Sequence, residues 1–521
     1  MRKLPKLLTL AAMTVMLAGS LTACGSKNNG NNGNNGNNAS EDSKGNPTAS
    51  ESNAAPETEK PTLKRLNVFQ AEDYATYPVA KFLEEKTGYK VQYDVLPQDK
   101  TAEKLNLIFA SGEPYDFITF YNDLALYSDY AQKGALTDLT PLIDQYGPNI
   151  KYAVSQQSMD ALKIDGKLYA IPAPVTHEVG FSILIRTDWL EKVGLAMPTT
   201  TDELVNVLKA FKEKDPGGNG DQNVPLTIKG DQAMLENIVG AFGMPNPWND
   251  VNGQLTPRVL DPNYPDYVNY VADLYKQGLL DKEFIINKDA TAKEKFASGK
   301  AGAIIVHWAD IPGLNDALTK VVPDAKFAYV GALKGPKGQA GFGAMSGFDR
   351  LTFIPKSAEH PVEAIKYINE LLEPATFKEL AIGQEGKHYK FENDAYIPIL
   401  PIFSDERNQA NNYMAGVDEA NYPQYWQARV RKNPIMFEGF DFLNNKQPAE
   451  VKVRNTLGWA PYLPEHAKNN MRLEVMVGEY TVKLFAGAES LNDLAKFQEK
   501  YKASGEDVSA KEINDWYATT K

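Results

Sequence analysis

Cysteine is almost absent: Cys24 is the only one in 521 residues. The rest of the chain therefore has no disulfide, no thiolate metal site and no thiol nucleophile. Histidine is scarce as well. The five (His177, His307, His360, His388 and His466) contain no His-Glu-x-x-His pair for zinc. No Gly-x-Ser-x-Gly elbow occurs, because Gly343-Ala344-Met345-Ser346-Gly347 has the wrong spacing. Gly341-x-Gly343 lacks the final glycine of a dinucleotide fingerprint. An excess of basic charge is missing too. The net charge is −12 with both signs interspersed, which argues against a nucleic-acid partner. A pair of carboxylates for glycoside hydrolysis leaves no local signature, so a hydrolase stays open at this point as the alternative to a binding protein.

The one long apolar run, Leu7 to Ala18, is too short for a membrane-spanning helix of about 20 residues. It follows Arg2, Lys3 and Lys6 and leads to Leu21-Thr22-Ala23-Cys24-Gly25. This reads as a lipoprotein signal peptide over residues 1–23 with a lipobox-like cleavage site. Cys24 would then take a diacylglyceryl group, and its acyl chains would hold the protein at the extracellular face of a bacterial cell membrane. Residues 24–60 carry an Asn-Asn-Gly repeat and then a Ser/Glu/Pro/Ala stretch with few apolar side chains, which predicts a disordered tether.

From Pro61 onward, extended and helical patterns alternate. Leu63 to Phe69 reads as a strand, and Pro78 opens a helix with Val79, Phe82 and Leu83 on one face and Gly88 as its stop. Val91, Tyr93 and Val95 alternate as a second strand, a helix follows over Ala102 to Ala110, and Asp116 to Phe120 is a third strand. The pattern restarts at Phe181 to Arg186. There Thr200 and Glu203 form a capping box before Leu204, Leu208 and Phe211. Ala303 to Val306 and Leu351 to Ile354 are short buried-type strands, the latter followed by a helix with Val362, Ile365, Ile368 and Leu372 inward. Two α/β lobes with mostly parallel sheets follow from this order. Helical, aromatic-rich sequence is expected from about residue 372 to the end.

Five ordered segments carry a resemblance. They are Gly134-Ala135-Leu136-Thr137-Asp138-Leu139-Thr140, Asp165 to Pro172, Arg186-Thr187-Asp188-Trp189-Leu190, Phe296 to Gly302 with Trp308 beyond, and Gly383-Gln384-Glu385-Gly386-Lys387-His388-Tyr389. Together they resemble the extracellular solute-binding lipoproteins of ABC importers, in the oligosaccharide-binding LipO/LplA-type branch. The resemblance implies a two-lobed periplasmic-binding-protein-like fold with a ligand cleft between discontinuous lobes. The first lobe would take residues 61–175 plus 350–420, and the second 176–349 plus 421–521. It also implies hinge closure on an oligosaccharide, delivery to an ABC permease and no catalysis. A peptide ligand or a sensor role on the same fold stays open.

Sugars present hydroxyls at the rim and apolar faces above and below, so aromatic platforms and side-chain hydrogen bonds are sought at strand ends. Candidate ligand residues are Asp73 and Tyr74 past the first strand, Asn122 and Asp123 past the third, Trp308 past Val306, and Trp248 in a Pro-rich loop. Trp426, Arg350 at a lobe crossing, and the motif residues Glu385 and His388 complete the set, while Trp189 reads as lobe-building. The resemblance also brings a calcium loop to Asp215, Asn219, Asp221 and Asn223. Gly217 and Val224 depart from that pattern by removing oxygen ligands. No other cofactor is expected.

Overall fold

The computed structural model describes residues 59–98 and 100–521. The signal peptide, Cys24 and all of the tether up to residue 58 lie outside the described residues. The tether's last position belongs to the body: Lys60 Nζ donates to the Thr87 carbonyl (2.7 Å) and sits 4.4 Å over the Tyr89 ring. Among the described residues no helix is long and apolar enough to cross a membrane.

Nine strands make the two main sheets: β1 (Leu63–Asn67), β2 (Val91–Val95), β3 (Phe117–Tyr121), β4 (Ala170–Pro174), β5 (Phe181–Arg186), β6 (Val224–Thr227), β7 (Ala301–His307), β8 (Phe327–Tyr329) and β9 (Phe348–Phe353). The first lobe's sheet has the order β2-β1-β3-β9-β4 and the second lobe's β8-β5-β7-β6. In each sheet one strand opposes the rest. β9 is antiparallel to β3 and β4, and β5 is antiparallel to β7 and β8. The reason is topological: both are the first strand after the chain crosses between lobes. A strand entering from the cleft side must run away from it, whereas the others end there. The starts of β5 and β9 therefore share the cleft rim with the C-terminal ends of β1, β3, β6 and β7.

Local sequence explains the flanking helices. Pro78 supplies the fixed φ of a helix start, and Gly88 (φ 67°) closes the Pro78–Thr87 helix in the left-handed region. Its buried Val79 and Leu83 share one face, each worth roughly 1.5–3 kcal/mol of apolar burial. The capping box forms as the sequence predicts: Thr200 Oγ1 accepts from Glu203 N (3.1 Å), while the Glu203 carboxylate accepts from Thr200 N (3.3 Å).

Buried side chains follow the crossings. One cluster runs from Leu63 to Ile171 and from Phe348 to Ala428; the second and third take Val179 to Phe342, with Val430 to Leu443 in the third. The helix Tyr422–Val430 puts Tyr422, Tyr425 and Ala428 in the first cluster and Val430 in another, so the third crossing falls near residue 429, later than the expected 421. The stretch after 372 is mainly helical, as expected, with short strands among the helices. It contains a hairpin, Tyr389–Glu392 with Ala395–Pro398, and a strand, Lys452–Arg454, beside Phe342–Ala344.

Candidate functional site

Three chain crossings converge on one cavity of about 200 Å³. Pro174 to His177 line it from the first crossing, Met345, Asp349 and Arg350 from the second, and Tyr422 and Trp426 from the third. The first two crossings run side by side, with Val175 N donating to Gly347 O (3.1 Å) and Met345 N to Glu178 O (2.8 Å). Asn444 Oδ1 accepts from the amides of Glu178 and Val179, and Lys452 pairs with Glu178. Trp426 packs against the buried clusters of both lobes. The three crossings thus form the floor between the two lobes.

Arg350 and Trp426 both line this cavity. Arg350 Nη1 donates to Asn412 Oδ1 (3.0 Å) and Asn411 O (3.2 Å), its Nε stands 3.3 Å from Asp349, and its guanidinium is 5.7 Å from the Tyr121 ring centre. Asn122 is exposed past β3, its amide held by Asp349 O (3.0 Å). Asp123 caps the next helix through Leu126 N (2.9 Å), and exposed Asp73 accepts from Ala75 N (2.7 Å), so both carboxylates already serve backbone turns.

A second cavity, of about 380 Å³, opens on the second lobe beside the start of β5 and the end of β6. Phe181, Lys229, Asp231, Glu236, Trp248 and Arg258 are among its lining residues. Burial pushes the Glu236 carboxyl up, and the Arg258 guanidinium pulls it back. Trp248 opens the hairpin Trp248–Val251/Gln254–Pro257 instead of standing in a loop, and its ring meets His466 edge-on at 5.9 Å.

Several expectations are corrected. Tyr74 is a core residue, 2% exposed, with its hydroxyl donating to Val68 O (3.0 Å) and its ring stacked on Tyr93 at 5.4 Å. His388 is buried: Nδ1 accepts from Gln384 N (2.9 Å) and Nε2 meets Glu406 (2.9 Å), so the motif holds its own loop and leaves Glu385 exposed in the turn. Trp308 packs edge-on to Phe440 (5.1 Å) and His177 (5.4 Å) and is 5% exposed. Trp189 is buried, as read.

The sequence reading missed the exposed aromatics. Phe69 just past β1, Tyr121 at the end of β3 and Phe181 at the start of β5 are 44–47% exposed. A large ring at the cleft end of a strand was the signal available for them.

The loop from Asp215 to Val224 offers calcium few oxygen ligands. The ion takes six to eight oxygens, several of them carboxylates. Asp215 accepts two backbone amides, Asn219 N (3.0 Å) and Gly220 N (2.7 Å). Asn219 and Asn223 point their amide nitrogens at Gly299 O (2.9 Å) and Phe211 O (2.7 Å), and only Asn223 Oδ1 is left buried without a partner. A Cβ at Gly217 would lie 2.4 Å from the Trp189 ring, so an asparagine cannot stand there. Among the described residues no three His, Cys, Asp or Glu side chains converge on a metal position.

Compared with known proteins, the chain is 26% identical to lipoprotein LipO of Bacillus subtilis over 85% of its own length and 89% of that protein's. It is 28% identical to the polygalacturonan/rhamnogalacturonan-binding protein YtcQ of the same organism, over 60% of this chain and 64% of YtcQ. It is 32% identical to the fructooligosaccharide ABC transporter substrate-binding protein FusA of Streptococcus pneumoniae, over 53% and 54%. A solved structure of an EF-hand mutant of FusA with fructo-nystose superposes with a TM-score of 0.65, covering 88% of this chain and 99% of that one. At 21% identity this likeness speaks for the fold. Residues 70–376 match the bacterial extracellular solute-binding protein family, more than half of the chain, and the protein belongs to that family.

Proposed function

We propose that this protein is a non-catalytic receptor that captures oligosaccharides between its lobes and delivers them to an ABC permease. The observation that carries the reading is the trio Phe69, Tyr121 and Phe181. These large rings lie exposed at cleft-side strand ends in a fold whose other aromatics are mostly buried. Rings so placed stack on sugar faces, while Asn122, Asp231 and Asp349 offer hydrogen bonds to hydroxyls. The names of YtcQ and FusA support a carbohydrate ligand. Contacts from both lobes would favour the closed form, by as much as the ligand's affinity differs between open and closed states. Cys24 carries the lipid anchor at the extracellular face of the membrane, and the name of LipO supports that placement. The Asp215–Asn223 loop works without metal, held by its own hydrogen bonds.

Thermal unfolding against panels of oligosaccharides and peptides tests the reading, since a ligand bound only by the native state raises the midpoint. Shifts with glycans, returned uncut, are expected. Shifts with peptides alone, or cleavage of the bound sugar, would overturn it.

A further inference from the structure

A cavity outside the floor has the chemistry of a sugar site. It encloses about 340 Å³ on the second lobe, within the range of roughly 300–1,000 Å³ common for small-molecule sites. All of its lining residues come from the second lobe, and none of them lines the floor cavity or the Trp248 cavity. The short helix Glu236–Ala241 runs between the two second-lobe cavities. Glu236 at its start lines the Trp248 cavity, and Phe242 just past its end lines this one.

The walls are built without a ligand. The helix Tyr264–Lys276 supplies Asp266, Asn269 and Tyr270, and the segment from Lys334 to Gln339 closes another side. That segment is tied down by Lys334 N donating to Thr199 O (2.9 Å) and Thr201 N to Lys334 O (3.1 Å). It turns back on itself, with Gly335 N donating to Gln339 O (2.8 Å). Gly335 packs so closely on the helix end that a Cβ there would lie 1.8 Å from Ala241 O. Tyr270 is fixed as well, its hydroxyl donating to Thr201 O (2.9 Å). Walls held in this way cost a ligand little ordering entropy.

The floor of this cavity is aromatic and its rim carries amides. Phe242 and Tyr270 have ring centres 5.5 Å apart with planes inclined at 53°, and Pro336 extends the apolar surface. Lys337 Nζ donates to Asn263 Oδ1 (2.9 Å) and Asp266 Oδ2 (2.8 Å), so the rim's lysine is cancelled by its aspartate. The side-chain amides of exposed Asn269 and half-buried Gln339 are not taken up by protein partners among the described residues. Each amide offers donors and an acceptor, and each sugar hydroxyl presents the complement of both. Rings below and uncharged amides around suit a neutral sugar, whose C–H face is apolar and whose edge is hydroxyl. An ionic ligand would find no unpaired charge here, and an apolar one would cover the amides without satisfying them.

We propose that this cavity is a second carbohydrate site, holding a neutral sugar unit on the second lobe alone. It rests on the receptor reading above only in placing the protein among glycans. Because no first-lobe residue lines it, the site keeps its sugar whether the lobes are open or closed.

The test uses the full chain and calorimetric titration with neutral trisaccharides of glucose, mannose, galactose and fructose. At least one is expected to show two binding events. Tyr121→Ala combined with Phe181→Ala should weaken one event and leave the other untouched. Asn269→Ala combined with Gln339→Ala should weaken that other event roughly tenfold and leave the cleft event and the unfolding midpoint in place. A single event that the cleft variants weaken and the rim variants do not would overturn the second site and leave the receptor standing. Two events that both survive the rim variants would overturn it too. A single event lost with the rim variants alone would support the second site and overturn capture in the cleft. Silence with every neutral sugar would overturn the second site, and the wider panel above would then decide the receptor reading.

Discussion

Two arginines buried in the main sheets, one per lobe, are held in opposite ways. Arg186 at the end of β5 is gripped in the plane by Asp188, Nε to Oδ1 at 2.7 Å and Nη2 to Oδ2 at 2.6 Å. Arg65 on β1 has no carboxylate partner among the described residues and donates to the carbonyls of Tyr413 and Met414 and to Thr119 Oγ1 (3.1 Å). Both are at most 1% exposed. The second lobe therefore cancels its buried charge, and the first holds charge with dipoles and keeps its field.

The largest effect should come from breaking the paired side. Asp188→Asn strands a buried guanidinium and should cost about 3–5 kcal/mol in denaturant unfolding. Arg65→Met leaves carbonyls without donors but no charge behind, and should cost about 2–3 kcal/mol. A reversed order would break the comparison. Acid acts next. Burial holds His177 and His388 below their usual range and His307 down to about 4, while in the unfolded chain they titrate near 6.5. The unfolded state then takes up more protons, so this stability is complete above pH 6.5 and is lost as pH falls towards 4. Unfolding midpoints across that range should fall, and His307→Gln should flatten the slope.

Tyr121→Ala and Phe181→Ala sharpen the comparison at the cleft, one ring from each lobe. Each should weaken glycan binding by about 1 kcal/mol, roughly fivefold, with little change in stability because the rings are half-exposed. The smallest effect is a null: calcium or a chelator should leave the unfolding midpoint where it is. A rise with calcium would show that Asp215 gives up its backbone amides for the ion.

Much of the fold was legible in the sequence because its signals are local. Pro78, Gly88 and the Thr200/Glu203 box act within a few residues, and the forms they predict are the forms adopted. Phe348-Asp349-Arg350 marked a crossing for the same reason: a strand starts there. The charge arrangement was illegible, because Arg65 meets its acceptors 348 and 349 positions away and those acceptors are backbone carbonyls, which every residue has. Tyr74 and His388 misled because position past a strand or inside a motif does not tell whether a polar atom finds an internal partner, and both do. The third crossing was hidden inside a helix that serves two cores.

Closure of the two lobes on a sugar is the central claim, and small-angle scattering of the full chain titrated with a stabilising oligosaccharide measures it most directly. The radius of gyration should fall and level off at the stoichiometry of binding. A radius unchanged at saturation would contradict capture by closure.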